Sequence, residues 1–175
     1  MPDVLAHLME EHRKVERMLA QLKDSDPGDQ RDELFRDLTD SLRTHMAVEE
    51  RFLYPLMAEH LDEETAADAT DEHELARSGI SEAAQRLEEG AFSAAIEILE
   101  AGIGHHVEEE ESELFPKLRE RAAGQLAQME PDDLEAQVAG DDQTRDELYE
   151  KAQEADVPGR STMTKQELQE AVAEQ

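Results

Sequence analysis

Histidine and glutamate side chains recur in this sequence at the spacing that places them on one face of a helix. His45 and Glu49 are four residues apart, and the same pair returns 61 residues later as His106 and Glu110. Residues four apart lie on the same side of an α-helix. Imidazole and carboxylate groups that converge from several helices can bind a metal ion in the core of a bundle. These four residues are therefore candidate metal ligands.

The repeat extends beyond these two pairs. The segments HMAVEERFLYP and HVEEEESELFP, which open with the two pairs, share a pattern of His, two Glu, Leu, an aromatic residue and Pro. The same offset relates Glu11 and His12 to Glu72 and His73. Each half of the chain therefore supplies one single histidine and one His–Glu pair.

A single His–Glu pair in an acidic helical protein is usually a solvated surface pair. Four histidines that share one offset favour a metal site, because surface pairs have no reason to repeat in register. His7, His60 and His105 have no counterpart at this offset, so we expect them outside the site. The candidate metal ligands are His12, His45, Glu49, His73, His106 and Glu110.

The composition disfavours several classes of function. The chain has 175 residues, of which 46 are acidic and 17 basic, and its formal net charge is −29. This acidity opposes binding to nucleic-acid phosphates and anionic lipids. The absence of cysteine excludes disulfides, thiolate catalysis and Cys-ligated zinc. Because no apolar stretch approaches the roughly 20 residues of a membrane span, and no signal peptide is evident, we expect a cytoplasmic protein without membrane contact.

Four amphipathic helices must position the candidate ligands. Apolar residues at steps of three and four predict helices over residues 3–23, from the turn at residues 24–30 to about residue 60, over 62–90 and over 91–123. The histidines stand within these apolar stripes. Pro55 and Pro116 are predicted to kink or end the regular helix. The inner face of the second helix is predicted to carry Leu34, Leu38, Leu42, His45, Glu49, Phe52 and Leu56.

In the fourth helix, helical geometry lets only Glu110 of the acidic run at residues 108–111 point with His106, so the other three acids are expected in solvent. Four helices with mostly short connections predict an all-α fold, an up-down-up-down four-helix bundle over residues 1–123. Residues 124–143 are predicted to be a weakly helical or irregular linker. Capping boxes at Thr144 and Thr164 predict a small helix-loop-helix module over residues 144–175.

Residues 1 to about 123 resemble hemerythrin-like domains, also called HHE cation-binding domains. The resemblance rests on EEH at residues 10–12, DEH at residues 71–73 and the two repeated segments. It implies a four-helix bundle that holds a non-haem di-iron centre. The implied ligand set is His12 and His45 for one iron, His73 and His106 for the other, and Glu49 and Glu110 as bridges.

At one position the chain departs from the oxygen-carrying hemerythrins, which have a further histidine one turn after the third-helix histidine. Arg77 stands there. A guanidinium group stays protonated and offers no lone pair to a metal. The departure favours a sensing, scavenging or iron-handling relative over reversible oxygen carriage.

The C-terminal module more loosely resembles SAP and Rho N-terminal helix-loop-helix modules, some of which bind nucleic acid. Residues 144–175 carry eight acidic and four basic residues, so their attraction for phosphate is poor. A protein partner suits this module better than nucleic acid.

The candidate ligands suit iron, and also manganese or zinc. Two histidines and two bridging carboxylates give each metal four protein ligands, and a bridging water or hydroxide gives a fifth. The remaining octahedral position is open to dioxygen, peroxide or nitric oxide. Two classes of function follow. One is a di-iron protein with at most a weak peroxide-consuming or oxygen-reducing activity, and the other is a metal-dependent interaction module whose tail contacts a partner.

Overall fold

The computed structural model describes residues 3–142 together with residues 151, 155, 171 and 172. Within these residues all regular secondary structure is helical, which confirms the predicted all-α fold. Two π-helical segments, Glu49–Leu53 and Glu110–Leu114, interrupt the series of α-helices. The α-helices are α1 (Val4–Lys23), α2 (Asp29–Val48), α3 (Tyr54–His60), α4 (Glu63–Ala84), α5 (Phe92–Glu109), α6 (Phe115–Arg121), α7 (Ala123–Leu126) and α8 (Pro131–Asp142).

The first six α-helices form an up-down-up-down bundle of four rods, in which α2 continues into α3 and α5 continues into α6. Helix α1 packs against α2 and α5, and α4 packs against α5 and α3. Each rod turns its apolar stripe inward, as Leu8, Val15 and Leu19 of α1 illustrate by being almost fully buried. Burial of these stripes is the main force that holds the rods together.

Helices α1 and α4 begin where the sequence predicted, each at a capping aspartate, but α4 ends earlier than predicted. The Asp3 carboxylate accepts a hydrogen bond from the Ala6 amide at 2.7 Å, and Asp62 caps α4 in the same way. Helix α4 was predicted to reach Gly90 but ends at Ala84. The guanidinium of Arg31, which is buried against the ring of Phe92, binds the carbonyl of Leu87 at 2.9 Å. After Ala84 the backbone forms tighter turns, in which the Arg86 amide donates to the carbonyl of Ala83 and the Glu89 amide donates to the carbonyl of Arg86.

The π-helical segments lie at equivalent places in the two halves of the chain. The Tyr54 amide donates to the carbonyl of Glu49, and the Phe115 amide donates to the carbonyl of Glu110, five residues back in each case. A proline follows each donor and cannot supply the next helical N–H. The predicted interruption is therefore a wide turn just before each proline, and the helix continues beyond it.

The wide turn also changes which side chains point inward. Phe52 was predicted on the inner face of the second helix, but it is only half-buried, whereas Leu53 is 1% exposed. A π-helical turn holds more residues than an α-helical turn, so the inward position moves forward along the chain. The repeat-related Leu114 is buried in the same way.

The chain divides into two compact units, Met1–Leu134 and Glu135–Gln175, and the bundle belongs to the first. Helices α7 and α8 occupy most of the segment predicted to be a weakly helical or irregular linker. Apart from four positions, the predicted helix-loop-helix module at residues 144–175 lies outside the described residues, and the predicted domain boundaries stay predictions. In the described part of the chain, no helix combines the length and apolar character that crossing a membrane requires.

Candidate metal centre

The structure brings the six candidate ligands together in the middle of the bundle, and all six are buried. Each rod contributes through the face that carries its apolar stripe. The two glutamates are the first residues of the two π-helical segments, so the wide turns begin where carboxylates enter the core. The contributors are His12 from α1, His45 and Glu49 from the second rod, His73 from α4, and His106 and Glu110 from the fourth rod.

The four histidines form two pairs. The Nε2 atoms of His12 and His45 are 3.1 Å apart, and those of His73 and His106 are 3.2 Å apart. These are the pairs that the resemblance implied for the two irons.

Glu49 and Glu110 each lie close to both pairs. Glu49 Oε2 is 3.2 Å from His45 Nε2 and 3.3 Å from His73 Nε2. Glu110 has Oε2 at 3.5 Å from His12 Nε2 and Oε1 at 3.5 Å from His106 Nε2. Each carboxylate thus spans the gap between the two histidine pairs, which is the placement that a bridging ligand requires.

A second set of carboxylates holds the outer sides of the imidazole rings. An ionised carboxylate can only accept, so each Nδ1 donates its proton outward and each Nε2 faces inward, where it can hold a proton or, once deprotonated, bind a metal ion. We call Glu11, Glu50, Glu72 and Glu111 the outer carboxylates. The bonds run from His12 to Glu111 (2.8 Å), from His45 to Glu11 (3.0 Å), from His73 to Glu50 (2.8 Å) and from His106 to Glu72 (2.8 Å).

The outer carboxylates had no assigned role from the sequence, and the expectation that Glu111 is solvated was wrong. Its side chain is only 15% exposed because it reaches back to His12 on the neighbouring helix. A signal was present, since Glu11 and Glu72, and likewise Glu50 and Glu111, are related by the 61-residue offset of the ligands.

The charges of the cluster fit a cation. All four carboxylate oxygens of Glu49 and Glu110 are buried without a donor in hydrogen-bonding geometry. Buried carboxylates are costly unless they are paired with protons, cations or metal ions. The inward Nε2 atoms of the histidines face one another and these oxygens. A metal ion at each histidine pair would satisfy both kinds of atom, so the residues present fit a metal centre with two positions.

The same crowding shifts the proton affinities of the buried groups. Burial alone would lower the pKa of His45, but the charge of Glu49 and the hydrogen bond to Glu11 hold that pKa well above its ordinary value. Burial would raise the pKa of Glu49, yet the charge of His45 holds it well below its usual range. Burial and the charge of Glu49 raise the pKa of Glu110. The pKa values of the two glutamates are therefore shifted in opposite directions, although the 61-residue repeat relates these two residues.

One aromatic pair breaks the symmetry of the site. Tyr54 is buried, and its hydroxyl lies 2.9 Å from His73 Nε2. At the equivalent place Phe115 stacks on His12, with ring centroids 6.0 Å apart. Burial and the charge of Glu49 raise the pKa of Tyr54, so its hydroxyl keeps its proton. A hydrogen-bond donor thus stands at one histidine pair and is replaced by an apolar ring at the other.

A cavity of about 20 Å³ adjoins the cluster, which is room for about one water-sized molecule. All four histidines line it, and neither glutamate does. Its other walls are apolar side chains from the four rods, namely Val15, Leu42, Met46, Ala76, Ile103 and Val107.

The remaining histidines lie apart from the six-residue cluster. His60 contacts the side-chain oxygen of Gln125 at 2.7 Å, and His105 is largely exposed. His7 lies one turn before Glu11 on α1, with its Nε2 at 3.9 Å from that carboxylate. That these three histidines are not metal ligands stays a prediction.

Comparison with known protein families identifies one match. The model of the hemerythrin HHE cation-binding domain matches residues 3–118, a range that includes most of the bundle and all six candidate ligands. No curated protein and no solved structure matches the chain.

Proposed function

Because this chain belongs to the hemerythrin family, whose HHE domain binds cations, we propose that it is a non-haem di-iron protein that reacts with dioxygen or peroxide. The observation that carries this proposal is the pair of buried carboxylates, Glu49 and Glu110. Each spans two histidine pairs, and no oxygen of either accepts a hydrogen bond. Uncompensated acceptors of this kind suit cations at two adjacent positions.

In this proposal His12 and His45 hold one ion, His73 and His106 hold the other, and the two glutamates contact both. Imidazole and carboxylate ligands suit iron, and also manganese or zinc. When bound, a pair of ferrous ions supplies two electrons for the reduction of dioxygen or peroxide.

The protein's own groups orient the ligands and select what approaches them. The outer carboxylates keep each Nδ1 protonated, so that each Nε2 presents a lone pair to the centre. The small apolar-walled cavity beside the histidines favours a very small ligand over a larger substrate. The Tyr54 hydroxyl can donate a hydrogen bond to such a ligand on the His73 side.

Reconstitution with ferrous iron in the absence of air tests the proposal. We expect about two iron atoms per chain, a visible spectrum that changes on exposure to air, and measurable consumption of added hydrogen peroxide. Since position 77 supplies no further imidazole, we expect oxidation in air without a long-lived oxygenated adduct. A chain that retains no iron would contradict the proposal, and a stable, reversible oxygen complex would make the protein a carrier or store.

A metal-dependent interaction module is the second candidate, and a surface groove favours it. The groove, of about 550 Å³, runs between α4 and α5 and is flanked by the exposed side chains of Leu75 and Ile98 (72% and 74%). His73 and His106 also line it, so the groove adjoins one of the proposed metal positions. The carboxylates of Glu72 and Glu82 at this groove suit an apolar helix with basic flanks. Iron-loaded protein that is stabilised by metal yet inert towards air and peroxide would favour this candidate.

A further inference from the structure

Two of the four outer carboxylates are themselves held by arginines. Arg77 Nη2 donates to Glu50 Oε1 at 2.7 Å, and the same oxygen accepts from His73 Nδ1. On the opposite side of the site, Arg13 donates to Glu111, whose other oxygen accepts from His12 Nδ1. Each arginine therefore completes a chain from guanidinium to carboxylate to imidazole.

Each guanidinium is also anchored by a second carboxylate on its own helix. Arg13 binds Glu16 at 2.5 Å, and Arg77 binds Glu74 at 2.8 Å. Both pairs are three residues apart on one helix, a spacing that places the side chains side by side. The planar guanidinium can thus bind one carboxylate on each side.

The two arginines do not occupy equivalent positions in the repeat. The 61-residue offset relates Arg13 to Glu74 and Glu16 to Arg77, so the two halves carry the same ion pair in opposite order. Despite the exchange, each arginine reaches the outer carboxylate that the repeat predicts for its side of the site. The positive charge therefore lies beside an outer carboxylate on both sides of the site, although it comes from sequence positions that the repeat does not relate.

The two arginine-held chains are distributed evenly over the centre. His12 belongs to one histidine pair and His73 to the other, so each proposed metal position receives one such imidazole. The other outer carboxylates, Glu11 and Glu72, lie near histidines instead, with His7 and His105 at 3.9 Å and 3.7 Å.

We infer that Arg13 and Arg77 are positioning residues of the metal centre, and that each acts by fixing the carboxylate that orients one ligating imidazole. This inference rests on the proposed metal-binding function. It also gives Arg77 a role: besides standing where oxygen carriers have a histidine, it secures His73. A carboxylate bound on two sides loses less freedom when the imidazole binds metal, so metal should be released more slowly.

The test compares single substitutions with exchanged pairs in the full chain. Arg13→Gln and Arg77→Gln remove the guanidinium, and we expect ferrous iron to leave for a chelator about tenfold faster, at the low end of effects for such partners. We expect Arg13→Glu to release iron at least as fast as Arg13→Gln does. Arg13→Glu combined with Glu16→Arg recreates on α1 the order found on α4, and it should restore slow release.

Arg86→Gln is the matched control, because Arg86 forms an exposed ion pair with Glu82 on α4 away from the six ligands. Its release rate should equal that of the unaltered protein. Melting temperatures of the metal-free variants separate positioning from folding, since exposed ion pairs contribute little to stability. If Arg77→Gln releases iron no faster than Arg86→Gln, the inference is overturned. It is also overturned if the double variant Arg13→Glu, Glu16→Arg melts normally but releases iron as fast as Arg13→Glu. Failure of the unaltered protein to bind iron would instead overturn the proposed function.

Discussion

The Nε2 atoms of His12 and His45 lie 3.1 Å apart, while the Nδ1 atom of each ring is bound to a carboxylate on the opposite side. With both outer nitrogens protonated, the inner nitrogens carry lone pairs that repel unless a proton or a metal ion comes between them. His73 and His106 repeat this arrangement at 3.2 Å. The bundle therefore brings together groups whose mutual repulsion is relieved by cations.

This arrangement predicts how the stability of the metal-free protein depends on pH. The pKa values of His45 and His73 are raised, chiefly by Glu49 and by their outer carboxylates, against the opposing effect of burial. A group whose pKa is higher in the folded state than in the unfolded state stabilises the folded protein. For histidine this contribution is fully present below its unfolded-state pKa of about 6.5, and it is lost as the pH rises through the folded-state pKa. The raised pKa of Glu110 acts in the same direction from about pH 4.5 upward. Because the pKa of Glu49 is lowered in the folded state, its contribution to stability is present above its unfolded-state pKa and is lost only as the pH falls through the folded-state pKa.

We therefore expect the melting temperature of metal-free protein to fall between pH 6 and pH 9 at constant ionic strength. The double variant His45→Gln, Glu49→Gln removes the most strongly shifted pair and should show a flatter profile. Zinc should stabilise the protein more at the upper end of this range, because binding releases the histidine protons. A melting temperature that stays level or rises with pH in the absence of metal would contradict this account.

Replacement of either proposed bridge tests its contact with both metals. Glu49→Ala and Glu110→Ala should each lower iron content towards zero rather than to one atom per chain, because each carboxylate lies close to both histidine pairs. Glu113→Ala is a suitable control, since this exposed residue lies in the same π-helical segment as Glu110. Iron and protein are measured on the same samples. Retention of one firmly bound iron in either bridge variant would show that its glutamate serves a single metal.

Adjacent histidines on α5 allow a matched comparison. His106→Gln removes a buried candidate ligand, whereas His105→Gln alters its exposed neighbour. We expect the first to lose iron and the second to keep the full content, and His7→Gln and His60→Gln should behave like the second. Equal iron loss from both α5 variants would mean that the ligand set on this helix is wrong.

The six candidate ligands could be predicted because their spacing repeats along the chain and needs no knowledge of neighbouring helices. The hydrogen bonds of the outer carboxylates to the histidines could not be predicted, although these carboxylates share the 61-residue offset. The role of Glu111 depends on a bond to His12, and that bond depends on the rotation of two helices that are distant in sequence. Helical periodicity on one chain segment predicts only which side faces the core.

The local departures have physical causes that a periodic pattern does not contain. Phe52 was placed inward by α-helical spacing, but the π-helical turn moved that role to Leu53. Helix α4 ends at Ala84 rather than at Gly90, in turns whose amides bond three residues back, and apolar spacing does not reveal such a change. The sequence showed only that Arg77 cannot bind a metal, whereas its bond to Glu50 on another helix links it to the site.

The difference between Tyr54 and Phe115 leads to a prediction about reactivity. The Tyr54 hydroxyl lies 2.9 Å from His73 Nε2, and its raised pKa keeps it a donor at neutral pH. Tyr54→Phe should leave iron content unchanged, because no proposed ligand is lost. It should slow peroxide consumption by roughly 100-fold if the phenol donates a proton or hydrogen bond during the reaction.

The repeat supplies the companion variant for this experiment. Tyr54→Phe combined with Phe115→Tyr moves the hydroxyl to the His12 and His45 pair, where the ring of Phe115 now stacks on His12. If small ligands react on the His73 side, the double variant should stay as slow as the single one while it binds the same amount of iron. Recovery of the rate would mean that both sides react alike. A single Tyr54→Phe variant with full iron content and an unchanged rate would remove Tyr54 from the chemistry altogether.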